Sequence, residues 1–247
     1  MKYAVIAAGE GSRLAQEGIT PPKPLVQVNG EHLIDRLLRI FMDNDAEEIV
    51  VICNDLTPLV SNHLSQIQKN GIDGKPVPLR FIVKSTPSSM HSFYELSRML
   101  NEKNDSPAFV MTTVDTIFRE EEFGNYIDTF KQVIANGEDG LMGVTDFIDD
   151  EKPLFVEVKE EAGKLPVITG FLDACEQPLY ISGGIYGLTP RAFETLNDCI
   201  RRGDSRMRNF QRALIRDGRF LRAYPFSKVL DIDHASDIAK AEQFLTK

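Results

Sequence analysis

Short apolar runs alternate with longer amphipathic stretches through the first 135 residues of the chain. Runs rich in β-branched residues predict strands, and stretches whose apolar residues recur every three or four positions predict helices. The predicted strands are residues 2–8, 48–53, 79–83 and 108–113, and the predicted helices are residues 31–42, 56–69, 89–100 and 123–135. Because strands and helices alternate, we expect an α/β fold with a doubly wound, mainly parallel sheet.

The pattern changes after a further predicted strand at residues 140–144. Short strand-like runs separated by turns predict antiparallel additions to the sheet in the C-terminal half. These runs are residues 154–159, 167–171 and 180–188. The remaining elements are two helices (190–200 and 207–216), two strand-like runs (219–224 and 228–232) and a closing helix (235–245). No Pro-, Gly- or Ser-rich linker divides the chain, which favours one continuous domain over residues 1–247.

Composition and charge exclude several classes of function. Hydrophobic residues make up 42% of the chain and charged residues 26%, as in an ordinary globular protein. The net charge of −9 argues against a nucleic-acid or membrane-surface binder, because both need a positive field. Three scattered cysteines indicate neither a disulfide framework nor a zinc site. The chain enters its first strand without a leader and has no apolar run of roughly 20 residues, so we expect a cytoplasmic location.

A glycine-containing loop after the first predicted strand is the strongest chemical signal. The two segments that carry it are Ala7-Ala8-Gly9-Glu10-Gly11-Ser12-Arg13-Leu14 and Pro22-Lys23-Pro24-Leu25. Glycine has no Cβ, so backbone N–H groups can approach phosphate oxygens at the carboxyl end of a strand. Arg13 would add a fixed cationic fork and Lys23 a mobile point charge. This combination suits a triphosphate, although the glycines alone are equally typical of a tight turn.

Two other nucleotide-binding motifs fit the loop poorly. A Walker A loop requires the pattern G-x-x-x-x-G-K-[ST], which is absent. A dinucleotide-binding turn requires a third glycine where Leu14 stands, and an acidic residue roughly 20 positions further on. The acidic residue at the end of the second strand, Asp55, lies much later in the chain.

These segments, followed by a turn that contains Gly30, resemble the signature of the sugar-1-phosphate nucleotidylyltransferase family. The resemblance implies magnesium-dependent transfer of a nucleoside monophosphate from a nucleoside triphosphate to a sugar 1-phosphate. It also implies a nucleotide-binding half (residues 1–145) and an acceptor-binding half (residues 146–247). Arg13 and Lys23 would be the catalytic cations. The implied nucleotide-binding residues in the loop are Ala8, Gly9, Gly11, Ser12, Arg13 and Lys23.

Three aspartates are the candidate magnesium ligands. Mg²⁺ is usually held by one or two carboxylates together with phosphate oxygens and water. Asp115 follows the fourth strand, where the family carries its magnesium aspartate, and Asp231 best matches the family's late aspartate by position. Asp233 shares a strand face with Asp231 and is the alternative to it. Asp115 could instead cap a turn or helix, and Asp233 could cap the closing helix.

The family also implies positions for the base and the acceptor. Ser88 and Ser89 stand where the family contacts the nucleobase, although serine is equally typical of a helix N-cap. Gly184 and Tyr186 resemble the family's strand beside the acceptor sugar, and paired glycines also mark bulges. The family's Glu-Lys-Pro motif is missing, since residues 170–175 contain no lysine. Eight arginines between residues 201 and 222 either replace that lysine or form a solvated helix face.

Other functions stay open at this point. The same motifs suit a cytidylyltransferase for phosphocholine or another non-sugar phosphate, and a non-catalytic nucleotide sensor would keep the loop. A nicotinamide dehydrogenase fits worst. The expected partners are a nucleoside triphosphate and a small phosphorylated acceptor, without nucleic acid or membrane. The sequence leaves open the base, the acceptor, the pathway and the oligomeric state, and it is compatible with a homo-oligomer.

Overall fold

A computed structural model describes residues 1–102, 107–149 and 151–246, so parts of both predicted halves lie outside the described residues. The strands are β1 (Lys2–Ala7), β2 (Gln27–Val28), β3 (Glu31–His32), β4 (Glu48–Cys53), β5 (Leu79–Val83), β6 (Phe109–Thr113), β7 (Thr116–Ile117), β8 (Gly140–Thr145), β9 (Phe155–Lys159), β10 (Val167–Leu172), β11 (Tyr180–Leu188), β12 (Leu221–Phe226) and β13 (Leu230–Asp231). The helices are α1 (Ser12–Gln16), α2 (Leu33–Asp43), α3 (Pro58–Asn70), α4 (Ser89–Leu100), α5 (Glu120–Ala135), α6 (Arg191–Arg202), α7 (Met207–Arg216) and α8 (Ala235–Leu245), with a 3-10 turn at Lys23–Leu25.

A nine-stranded mixed sheet runs through both halves of the chain in the order β5-β4-β1-β6-β11-β8-β12-β10-β9. Strands β5, β4, β1 and β6 are parallel to one another. Strand β11 then pairs antiparallel with both β6 and β8, and β9 pairs antiparallel with β10. The predicted α/β class, with antiparallel additions in the C-terminal half, is confirmed.

Helices pack on both faces of the sheet because side chains alternate along the buried strands. In β1, Tyr3 and Val5 face a core that contains apolar residues of α2, α3, α5 and α8. Ala4 and Ile6 face the opposite core, which contains residues of α4, α6 and α7. Among the helices that the structure describes, none combines the length and the apolar surface that a bilayer crossing requires.

The structure corrects several element boundaries near the glycine-containing loop. Helix α2 begins at Leu33 rather than at residue 31, because Glu31 and His32 pair with Gln27–Val28 in a small hairpin. Helix α5 begins at Glu120, three residues before the prediction. Helix α1 and the two-residue strand β7 were not predicted, and β13 is shorter than the strand-like run predicted at residues 228–232. Such short elements carry too few residues to show a hydrophobic period.

Two features of the fold bring distant segments to one edge of the sheet. The carboxyl ends of the parallel strands β1, β4 and β6 meet there, as expected for neighbouring parallel strands. Strand β13 pairs antiparallel with β7, just beyond the end of β6. In addition, the N–H of Ile232 donates to the carbonyl oxygen of Asp115 at 3.2 Å. The chain before α8 is therefore fixed beside the end of β6.

Candidate functional site

The loop after β1 has a shape that only glycine allows at Gly11. This residue has φ +64°, in the left-handed region. A Cβ at Gly11 would also lie 3.1 Å from the Cβ of Lys23. The loop can therefore pass close to the Lys23 backbone only when this position carries no side chain.

Asn54, which sequence reasoning missed, holds the same loop from the neighbouring strand. Its Nδ2 donates to the carbonyl oxygens of Ala8 at 3.2 Å and Gly9 at 3.3 Å. Asn54 follows β4 directly, so its place at the carboxyl end of a parallel strand was the available signal. Because its amide donates hydrogen bonds to two carbonyl groups of the loop, we infer that Asn54 helps to fix the loop conformation.

Most of the predicted nucleotide-binding residues line one cleft at this edge, which we call the first cleft. Its volume is about 300 Å³, at the lower end of the usual range for small-molecule sites. The predicted residues that line it are Ala8, Gly9, Gly11, Lys23, Ser88, Ser89 and Asp115. The lining residues that were not predicted include Asn54, Ser85, Thr86, Ser92 and Thr113.

Ser88 is the N-cap residue of α4, as considered from the sequence, and it also lines the first cleft. Its Oγ accepts the backbone N–H of His91 at 3.4 Å and lies 2.9 Å from His91 Nδ1. Nearby, the hydroxyl groups of Thr86 and Ser92 lie 2.6 Å apart. This wall of the cleft thus presents several hydroxyl groups and the N-terminus of α4.

Lys23 lies at the centre of the site between two carboxylates. Its Nζ donates to Asp115 Oδ2 at 2.5 Å and to Asp233 Oδ1 at 2.7 Å. Lys23 is only 9% exposed. Burial alone would lower the pKa of Lys23, but the charge of Asp115 and the hydrogen bonds that Lys23 donates to both aspartates outweigh it and raise that pKa. The ammonium group therefore stays charged and joins the segment after β6 to the segment before α8.

Arg13, which lies on α1, contacts one of the same two aspartates. Its guanidinium donates to Asp233 Oδ2 at 3.1 Å, and its side chain is about half exposed. A second contact fixes α1 against α8, because Glu17 accepts hydrogen bonds from His234 Nδ1 and from the N–H of Ala235, both at 2.6 Å. The hydrogen bond to Glu17 raises the pKa of His234.

Asp233 is the aspartate that shares Lys23 with Asp115, whereas the sequence had favoured Asp231 as the partner of Asp115. Asp231 pairs with Thr116 in the β13–β7 ladder, whereas Asp233 is the residue that contacts Lys23 and Arg13. The alternative role of Asp233 as the cap of the closing helix is wrong. His234 is the N-cap residue of α8, and its N–H donates to Asp237 Oδ2 at 2.8 Å.

A second cleft lies beside the first and is bordered by β11, β13 and α8. The residues that line it include Arg13, Ser182, Gly183, Asp231, Asp233 and Asp237. A smaller depression is lined by Gly11, Ser12, Arg13, Lys23 and Asp233. This depression shares residues with both clefts, so the cations and the aspartates lie where the two clefts meet.

The two predicted acceptor-binding residues are not among the residues that line the second cleft. Gly184 lies in a bulge of β11, with φ +69°, and Tyr186 beyond it is only 5% exposed. The hydroxyl of Tyr186 accepts a hydrogen bond from Gln211 Nε2 at 3.3 Å, and Gln211 Oε1 accepts from Ser182 Oγ at 2.9 Å. Ser182 and Gly183, at the bulge, line the second cleft, while the buried Tyr186 lies behind them and contacts Gln211.

The arginines between residues 201 and 222 do not replace the missing lysine in this conformation. None of them is among the described residues that line the two clefts. Arg208 and Arg212 instead bind Asp173 at 2.5 and 2.7 Å, and the buried Arg222 binds Glu138 at 2.8 Å. The charges of these three arginines are therefore taken up in ion pairs away from the two clefts.

Comparisons with known proteins identify the family and the fold of this chain. A UTP–glucose-1-phosphate uridylyltransferase of Haloferax volcanii is 25% identical over 252 residues, covering 99% of this chain and 96% of the relative. A solved UDP-glucose pyrophosphorylase in complex with UDP-glucose has the same fold, with a TM-score of 0.79, 14% identity and coverage of 98% and 97%. A CTP:phosphocholine cytidylyltransferase from Streptococcus pneumoniae also has it, with a TM-score of 0.73, 15% identity and coverage of 98% of both chains. The chain matches the nucleotidyl transferase family over residues 2–247, and it belongs to that family.

Proposed function

We propose that this protein transfers a nucleoside monophosphate from a nucleoside triphosphate to a sugar 1-phosphate, releasing pyrophosphate. The observation that carries this proposal is the convergence of Arg13, Lys23, Asp115 and Asp233 where two clefts meet. The first cleft, with its glycine loop and hydroxyl groups, suits the nucleotide, and the second suits the acceptor. The relative from Haloferax volcanii supports the choice of a sugar phosphate.

The two aspartates fit a magnesium ion by their chemistry and position. One carboxylate oxygen from each lies within 2.7 Å of the same ammonium nitrogen, so both can face a single cation. Mg²⁺ prefers oxygen ligands and usually takes one or two carboxylates. We therefore assign Asp115 and Asp233 as its protein ligands and leave Asp231 to the acceptor cleft. When bound, the ion would offset negative charge on the α-phosphate and the departing pyrophosphate.

The chain's own residues supply binding and charge rather than a general base. Backbone N–H groups around Gly9 and Gly11 face the triphosphate, and Arg13 and Lys23 neutralise it. A phosphate oxygen of the acceptor attacks the α-phosphorus, and the bond between that phosphorus and the oxygen leading to the β-phosphate breaks. A phosphate monoester is already a competent nucleophile near neutral pH. Catalysis then depends on orientation and electrostatic stabilisation.

The second cleft suits an acceptor that offers hydroxyl groups. Asp231 and Asp237 supply carboxylate oxygens, and the bulge at Gly183 allows close approach to the backbone. Arg13 borders this cleft and can meet the acceptor phosphate. Sugar hydroxyl groups are good donors to such carboxylates.

A second candidate is a cytidylyltransferase for phosphocholine or another cationic, non-sugar phosphate. The acidic lining of the second cleft favours it, because Asp149, Glu151, Asp231 and Asp237 would attract a positive head group. The absent Glu-Lys-Pro motif is consistent with this alternative. One pair of cationic groups, Lys240 and Lys228, lies near the cleft and partly offsets this charge.

A substrate panel distinguishes the two candidates. Pyrophosphate release is measured with each of four nucleoside triphosphates against glucose 1-phosphate, mannose 1-phosphate, phosphocholine and inositol 1-phosphate. The proposal predicts the highest kcat/KM with a sugar 1-phosphate, and preference for phosphocholine would support the second candidate. Asp198→Asn, on the surface of α6, serves as the control variant. No pyrophosphate release with any pair would argue against a nucleotidyl transfer of either kind.

A further inference from the structure

A second cluster of metal-binding side chains lies between α2 and α3. His32 is the N-cap residue of α2, Asp35 lies in the first turn of that helix, and His63 lies on α3. The Nδ1 atom of His32 is 2.9 Å from Asp35 Oδ2, and the Nε2 atom of His63 is 2.6 Å from Asp35 Oδ1. The three ligand atoms all lie within 4.8 Å of one another.

We propose that His32, Asp35 and His63 bind a divalent transition-metal ion of the zinc class. Two imidazole nitrogens and one carboxylate oxygen form a typical three-residue ligand set for such ions. A tetrahedral ion with bonds of about 2.1 Å holds its ligand atoms about 3.4 Å apart. The three ligand atoms lie within 4.8 Å of one another, and the two short contacts go to different oxygens of Asp35. Reaching the tetrahedral spacing therefore takes shifts of up to about 1.4 Å. Side-chain rotation alone can supply a change of that size.

Solvent can complete the coordination at this position. The side chains of His32, Asp35 and His63 keep between 21% and 30% of their surface exposed. The site is thus largely surrounded by protein, yet open enough to solvent for a water molecule to serve as a further ligand. The two imidazole rings pack edge to face, with centroids 5.0 Å apart.

Gln27 gives His32 the outer support that metal-binding histidines usually have. Its Nε2 lies 3.3 Å from His32 Nε2, on the far side of the ring from Asp35. When a metal takes Nδ1, the Nε2 atom of His32 must carry the proton. A half-turn of the Gln27 amide then presents its carbonyl oxygen as the acceptor. Outer partners of this kind typically change metal affinity by about 10–100-fold.

This cluster is separate from the proposed magnesium site. None of its three residues is among the described residues that line the first or the second cleft. Asp115 and Asp233 offer only oxygen atoms, which favour Mg²⁺, whereas imidazole favours transition metals. Because the cluster joins two helices, we expect its ion to stabilise the contact between α2 and α3 rather than to act on the nucleotide.

Cobalt binding tests the proposal directly. Protein stripped with EDTA is titrated with Co²⁺, followed by visible absorption, and then with Zn²⁺. One Co²⁺ per chain should give the intense visible bands of a four-coordinate site, and Zn²⁺ should remove them. His63→Gln and Asp35→Asn should abolish the bands, while His91→Gln and Asp115→Asn should retain them. Circular dichroism checks that each variant is folded.

Thermal unfolding gives a second readout that does not depend on activity. Zn²⁺ should raise the Tm of the wild-type protein and of His91→Gln, but not of folded His63→Gln or Asp35→Asn. Gln27→Ala should weaken Co²⁺ binding by about 10-fold. Wild-type protein without visible bands, or variants of His63 and Asp35 that bind Co²⁺ as tightly as the wild type, would overturn the proposal.

Discussion

The ammonium nitrogen of Lys23 lies 2.7 Å from Asp233 Oδ1, across 210 positions of the sequence. The same nitrogen contacts Asp115, so one buried cation holds together the two acidic segments that we assign to magnesium. Before any substrate binds, Lys23 thus offsets the repulsion between two neighbouring carboxylates. A triphosphate that enters the first cleft meets a cation already in position.

Loss of the Lys23 charge should abolish most of the activity. Lys23→Met keeps the length of the side chain but leaves Asp115 and Asp233 without their shared cation. By analogy with arginine fingers, we expect kcat/KM for pyrophosphate release to fall by about 10³-fold or more. Lys131→Met, at an exposed ion pair on α5, should leave the rate unchanged. Equal rates for the two variants would refute the role given to Lys23.

Asp233 and Asp231 should give different kinetic effects when they are changed to asparagine. Asp233→Asn should lower kcat and raise the Mg²⁺ concentration required for half-maximal activity, because it removes a proposed ligand. Asp231→Asn should mainly raise the KM for the acceptor, because that residue lines the second cleft. Steady-state kinetics measured at varied Mg²⁺ concentration and at varied acceptor concentration distinguish the two effects. An increased Mg²⁺ requirement in Asp231→Asn alone would reverse our assignment.

Gly11→Ala should damage both the fold and nucleotide binding. The residue has φ +64°, and an added Cβ would press on the Lys23 Cβ at 3.1 Å. The left-handed conformation alone costs an L-residue roughly 1–2 kcal/mol. We expect a lower free energy of unfolding and a higher KM for the nucleoside triphosphate. Gly9→Ala is the matched control for stability, since a Cβ there meets no atom within 4 Å.

Glu48 should make the stability depend on pH in the acid range. Burial would raise the pKa of Glu48, but hydrogen bonds from Arg80 and Lys2 outweigh it and lower that pKa. A carboxylate with a lowered pKa in the folded state stabilises the fold above its unfolded pKa, and this stabilisation disappears as the pH falls through the folded pKa. The Tm of Glu48→Gln should therefore fall less than that of the wild type below about pH 4.3. Parallel Tm curves for the two proteins would contradict this.

The sequence predicted the part of the site that is local in the chain. The glycine loop and Asp115 each follow a parallel strand, so the strand pattern indicated that they meet at one edge. Lys23 was predicted instead from the Pro22-Lys23-Pro24-Leu25 segment and the family resemblance that it carries. The sequence favoured Asp231 over Asp233 as the partner of Asp115, but it could not show where Asp233 lies. That position depends on the two-residue pairing of β13 with β7. A two-residue strand leaves no period in the sequence from which its partner or register could be inferred.

The acceptor side shows a second physical limit of sequence reasoning. The resemblance placed Gly184 and Tyr186 beside the acceptor, but the bulge in β11 shifts the register between Ser182 and Ile185. Two residues of β11, Gly183 and Gly184, have no partner in the β8 register at this bulge. Ser182 and Gly183 therefore line the second cleft, while Tyr186 is buried. The paired glycines indicated that a bulge could occur, but not which side chains it would expose.

The most direct test of the central claim is the rate of pyrophosphate release by the wild-type protein and Asp115→Asn as Mg²⁺ is titrated into EDTA-treated enzyme. The best substrate pair from the panel is used at saturating concentration. We predict a saturable dependence on Mg²⁺ in the wild type and a rate lower by about 10³-fold or more in Asp115→Asn. A wild-type rate that does not need Mg²⁺, or an unchanged rate in Asp115→Asn, would contradict a magnesium-dependent site built on Asp115.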